Sequence, residues 1–208
     1  MDQRPTLRER ERQQRHRLIA DTALRLFADR GFEDTTVQDI ASAVGIAPRT
    51  FFLHFPGKDD VLFDLDVRRC TDLADRLADR TAETRALDTA AQVVHGWITE
   101  RGAGTEQLLA RIIGGSPALA ARGRLQVSRY QDLLTTALHA ELGTGTDDPR
   151  PAMAAAAALA GWEHTGRRHA RGEAATADLP GLLAHATAAA ATLLTDAQLA
   201  DSELTGTP

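Results

Sequence analysis

A chain of 208 residues with 43% hydrophobic residues and a net charge of −5 can bury a core without covalent or metal staples. Its one cysteine, Cys70, excludes an intrachain disulfide framework and a multi-cysteine zinc site, and fits a reducing compartment. The longest apolar run, the alanine-rich stretch 152–160, is far short of the roughly 20 residues a membrane span requires, and the charged first residues do not form a signal peptide. A cytoplasmic protein with no membrane partner is expected.

The acidic total hides a basic beginning. Arg4, Arg8, Arg10, Arg12, Arg15 and Arg17 are opposed there only by Glu9 and Glu11. Residues 1–14 are expected to be a flexible basic arm. Lys58 is the only lysine, so the abundance of arginine reflects composition as much as chemistry, and position must single out the functional ones.

From residue 15 onward the pattern is helical throughout. Leu18, Ile19, Thr22, Ala23, Leu26 and Phe27 recur at helical spacing and make one apolar stripe. Gly31 ends it, with Phe32 placed to fold back as in a Schellman cap. Thr36 and Asp39 have the spacing of a capping box, opening a second helix that runs through Val44 with Val37, Ile40, Ala41 and Val44 inward. Gly45-Ile46-Ala47 makes a turn, and Pro48 presets the first residue of a third helix reaching about His54. Asp59 and Asp60 suit the positive end of a fourth helix beginning near Lys58.

Two short helices joined by a three-residue turn containing glycine form a helix-turn-helix, whose second helix enters the DNA major groove. A two-turn helix is unstable alone, so one face must be clamped. Phe51 and Phe55, four apart, supply that clamp with Phe27, Phe32, Ile40, Val44 and Ile46, and all six phenylalanines precede residue 64. The outward strip is then Arg49, Thr50, Leu53 and His54.

The order of these signals over residues 18–63, the run "LF..GF..TTV.DIA..VGI" followed by "TFF.HF" and a lysine, resembles the DNA-binding domain of the TetR family of bacterial transcriptional regulators. Two positions depart from the family pattern. Phe52 stands where the family usually has a tyrosine able to bond a phosphate, and Ala47 replaces a serine that caps the recognition helix. The resemblance implies DNA contacts from Thr36, Gln38, Arg49, Thr50, Phe52, Leu53, His54 and Lys58. Phosphate contacts are expected from Thr36, Thr50, His54 and Lys58, base reading from Arg49, and packing or sugar stacking from Phe52. It also implies a second, helical, ligand-sensing domain.

Beyond residue 57, helices are predicted at about 58–81, 85–101, 105–113, 117–142, 150–171 and 179–199, separated by glycine- and proline-bearing breaks. The expected organisation is all-α: the arm at 1–14, a three-helix DNA-binding domain at 15–57, a ligand-binding and dimerisation domain at 58–199, and a frayed tail at 200–208. The last two helices are rich in alanine. With the family resemblance, that suggests a four-helix dimer interface, matching a palindromic operator. Trp97, Tyr130 and Trp162 on three helices, with Arg111, Gln126 and Arg129, are candidates to line a pocket for a largely apolar inducer.

Other constellations are weaker. His164 and His169 are five apart, and His139 and Glu141 two apart, so neither pair shares a helical face. Gly114-Gly115-Ser116 lacks the lysine of a phosphate loop, and no serine sits in a nucleophile elbow. No catalysis, metal or cofactor is expected. The reading is a ligand-responsive regulator, a repressor released from its operator by a small molecule. The alternative is a small helical enzyme or carrier in which a helix-turn-helix-like unit serves only packing.

Overall fold

The computed structural model describes residues 6–101 and 103–195. Among them are nine α-helices and no strand: α1 (Leu7–Arg30), α2 (Val37–Val44), α3 (Pro48–Phe52), α4 (Asp60–Ala78), α5 (Ala86–Arg101), α6 (Ala103–Gly114), α7 (Pro117–Leu142), α8 (Arg150–Ala170) and α9 (Leu179–Thr195). No helix among the described residues is long and apolar enough to cross a membrane. The chain divides into two compact units, residues 1–67 with 108–123, and residues 68–107 with 124–208. The expected tail at 200–208 lies outside the described residues.

The first unit is larger than the sequence predicts. Its core gathers Ile19, Ala23 and Phe27 from α1, Ile40 from α2, Phe51 and Phe55, and Val61, Leu62 and Phe63 from α4. Leu109 and Ile112 of α6 and Leu119 of α7 complete it, so a boundary at residue 57 cuts through one apolar cluster. Periodicity could not show this, because the contributing residues lie about 50 positions downstream. Arg122 of α7 pairs with Asp59 and Asp60 at the start of α4 and lies 4.7 Å from the centre of the Phe63 ring.

Two local features depart from expectation. Residues 7–14, read as a flexible arm, are the first turns of α1, opened by a capping box in which Thr6 and Glu9 satisfy each other's backbone N–H. Residues 1–5 of that arm lie outside the described residues. Gly31 is not the left-handed residue of a Schellman cap: its φ of 92° and ψ of 153° lie in a region almost confined to glycine. Its N–H still donates to Phe27 O at 3.0 Å, and the rings of Phe27 and Phe32 meet at 5.0 Å. Phe52, outside the predicted clamp, is exposed.

The second unit is built on α5, α8 and α9, with residues of α4 and α7. Ala154, Ala155 and Ala158 of α8 and Ala190 of α9 are buried in its core. Small residues set the spacing of α8 and α9, for a Cβ added at Gly161 would fall 2.7 Å from the Cβ of Ala186. Trp162 fills the space beside them, and its indole N–H donates to Thr187 Oγ1 at 3.0 Å. At the start of α5, the N–H of Ala86 donates to the Glu141 carboxylate at 2.6 Å, which satisfies one of the orphan donors of a helix start.

Candidate nucleic-acid interface

The segment 36–60 is a helix-turn-helix in its details. Thr36 caps α2, its side chain and that of Asp39 accepting each other's backbone N–H. Gly45 is left-handed at φ 76°, and the N–H of Ile46 reaches back to Ala41 O at 2.9 Å, which is the closing bond of a Schellman motif. Glycine at that position is required by the backbone. Ala47 has the extended conformation of an N-cap and makes no side-chain bond. A serine there would supply the missing acceptor, a contribution typically of about 1 kcal/mol.

α3 shows a sharp division between its faces. Phe51 and, just past the helix, Phe55 are 0% and 1% exposed, whereas Phe52 and Leu53 are 53% and 76% exposed. Arg49 is also exposed and Thr50 partly so. Thr36 and Gln38 are exposed at the start of α2, the Gln38 amide donating to Ser42 Oγ at 3.3 Å. Arg49, Phe52 and Leu53 are thus exposed on an element that Phe51 and Phe55 clamp from the other side.

His54 and Lys58 are more deeply engaged than the sequence suggests. The ring of His54 lies 5.8 Å from that of His16, and His16 stacks on Phe55 at 4.3 Å while its Nε2 lies 2.7 Å from Asp64 Oδ2. Nδ1 of His54 is buried and has no hydrogen-bond partner among the described residues. Burial, followed by the charges of His16, Arg12 and Arg15, pushes the His54 pKa below the ordinary histidine value. The ammonium of Lys58 donates to Phe32 O, Glu33 O and Thr35 O at 2.7, 3.2 and 2.9 Å and lies 4.3 Å from the centre of the Phe32 ring. All three of its donors are directed at the loop between α1 and α2, an intramolecular tie that the expected phosphate contact did not include. The sequence carried no sign of this, since the carbonyls lie more than 20 residues upstream.

The ligand candidates have different surroundings among the described residues. Trp97 and Tyr130 meet at 5.3 Å, with the Arg69 guanidinium 5.1 Å from the Trp97 ring. Gln126 donates to Cys70 Sγ at 3.0 Å and accepts from Arg129 at 3.4 Å. Trp162 is 2% exposed and committed to the core, while Arg111 belongs to the first unit and is exposed. A groove of about 560 Å³ runs instead between α4 and α7 in the second unit, walled by Ala74, Leu77, Leu133 and Ala137 with Cys70, Arg80, Arg129 and Asp132 also lining it. Of the candidates only Arg129 lines it. The apolar spacing of Leu133, Ala137 and Ala140 was visible in the sequence, but periodicity does not distinguish a filled face from an open one.

The family model for bacterial regulatory proteins of the tetR family matches residues 19–65, the stretch containing these features. TcmR of Streptomyces glaucescens, an HTH-type transcriptional regulator, is 52% identical over 58 residues, which are 27% of this chain and 25% of that protein. The match thus spans about a quarter of that relative's length. Among solved structures, the fatty acid degradation regulator FadR from Bacillus halodurans is similar with a TM-score of 0.59 and 19% identity, over 83% of this chain and 94% of that one. SmeT, solved in complex with triclosan, gives a TM-score of 0.63 and 18% identity over 85% and 91%. At these identities the two structures speak to the fold, which extends beyond the matched N-terminal segment.

Proposed function

Since this chain belongs to the tetR family of bacterial regulatory proteins, we propose that it is a cytoplasmic, ligand-responsive repressor that binds a two-fold operator as a dimer. The observation that carries the reading is the division of α3, with Phe51 and Phe55 sealed inward and Arg49, Thr50, Phe52 and Leu53 turned out. That is the construction a recognition helix needs in order to stay rigid while it enters a groove. Thr36 and Thr50 contribute hydroxyls beside the strip, Gln38 an amide, and His54 a ring at its end.

Dimerisation is assigned to α8 and α9. Their buried alanines serve the unit's own core, but Ala156, Ala157 and Ala160 of α8 and Ala184, Ala188 and Ala189 of α9 are exposed, a surface of small side chains suited to close helix approach. The inducer is assigned to the groove between α4 and α7. Its apolar walls and the neighbouring Arg129 suit a largely apolar molecule bearing an acceptor or an acid. A relative of similar fold holds triclosan and another regulates fatty acid degradation, and both associations favour apolar ligands for this architecture.

The experiment is a binding titration of the full chain against DNA from upstream of its own coding sequence and against random DNA of equal length. Tight, salt-sensitive binding to the first, lost on adding an apolar acid that quenches tryptophan emission, is the expected result. Equal affinity for both DNAs would reject the operator. An emission change that saturates with operator affinity untouched would reject the switch.

A further inference from the structure

We propose that Leu53 reads sequence, by packing on the methyl group of a thymine next to the base pair that Arg49 contacts. The inference rests on the DNA-binding reading above and deepens it by assigning a specificity-determining residue. Leu53 is 76% exposed, more than any other large hydrophobic side chain among the described residues. Single exposed leucines are ordinary on protein surfaces, so exposure alone would mean little. Its neighbours give it meaning.

Arg49 and Leu53 are four residues apart and Leu53 keeps helical backbone angles, φ −74° and ψ −16°, so the two side chains share one face. The opposite face is closed by Phe51 and Phe55. Phe52 is exposed too, but its ring stands edge-on to Phe51 at 5.6 Å and 90°, which holds it to the domain. Arg49, four residues before Leu53, is itself exposed, and Arg12 and Arg15 act electrostatically on His54, the next residue, charges suited to a polyanion.

An apolar side chain held against base edges in the major groove has one complementary feature available. Among the four base pairs only those with thymine present a methyl group there, while every other edge offers hydrogen-bonding atoms that a leucine would desolvate without replacing. Arg49 has the geometry to take guanine O6 and N7. The two residues together specify a guanine with a thymine in the adjoining pair on either strand, a short apolar-plus-ionic element within each half-site.

The test uses the full chain. Operators are enriched from random DNA, and each thymine of the half-site is then replaced singly by deoxyuridine, which lacks only the methyl. One thymine per half-site should weaken wild-type binding roughly fourfold, the value of about one buried methylene-sized group, and about sixteenfold when both half-sites are changed. Leu53→Ala should bind the thymine and deoxyuridine operators equally, at the affinity the wild type shows for the latter. A circular dichroism melt shows that the variant is folded. If no thymine shows the loss, or if the loss persists undiminished in Leu53→Ala, the assignment is overturned. If no sequence is enriched at all, the operator reading falls with it.

Discussion

Arg49 and His54 mark the two ends of the strip that α3 turns outward, and each supports a separate expectation. Arg49→Ala should cost about 1–3 kcal/mol per half-site and relax the sequence preference at one position. Competition binding with a library randomised at each half-site position would show it, and equal weakening on every sequence would instead make Arg49 a phosphate contact. For His54, burial and then the charges of His16, Arg12 and Arg15 hold the folded-state pKa below its ordinary value. The unfolded chain therefore takes up the proton first as pH falls. The stability attached to the neutral ring is full above about pH 6.5 and is lost as pH drops from there toward the depressed value. Thermal melts between pH 7.5 and 5 should fall less steeply for His54→Gln than for the wild type, and parallel curves would count against the assignment. The outward strip was readable from residue spacing, whereas the surroundings of His54 were not, because His16 approaches it from α1, a helix that only the tertiary fold brings near.

The elements themselves follow local chemistry where that chemistry is strong. The α2 capping box, the left-handed Gly45 and the proline opening α3 each act within a few residues, and the predicted helix at 117–142 has the observed bounds. The first turns of α1 were missed because a run of arginine and glutamate has no apolar stripe to signal burial. Yet these residues favour helix intrinsically, and the Thr6–Glu9 box fixes the start. The Lys58 tie was missed for the opposite reason, as a charged residue at a helix start resembles a ligand contact until its partners are known. Lys58→Met should lower stability by roughly 1.5–3 kcal/mol, as expected for hydrogen bonds to a charged group, and leave the salt dependence of DNA binding unchanged. A slope reduced by about one would restore the phosphate contact.

At the scale of the whole molecule, binding a two-fold operator requires two chains. Ala156 is exposed in the single chain, so Ala156→Arg should fold normally while placing a long charged side chain where α8 of a second copy is to approach. Sedimentation should find a monomer, and operator affinity should fall with it; an intact dimer would move the interface elsewhere. On the proposed function, ligand and DNA would also oppose each other reciprocally, each weakening the other by one common factor. The unequal use of the two basic residue types has its own consequence. Lysine acetylation, which removes charge, has a single substrate in this sequence, and that ammonium is already shared among three carbonyls. Every other side-chain cation that stays charged at neutral pH is an arginine, which keeps its charge under any condition a cell provides. If the Lys58→Met experiment finds the salt slope unchanged, acetylation of this protein should disturb the loop between α1 and α2 and leave the arginines' attraction for a polyanion untouched by acyl-donor metabolism.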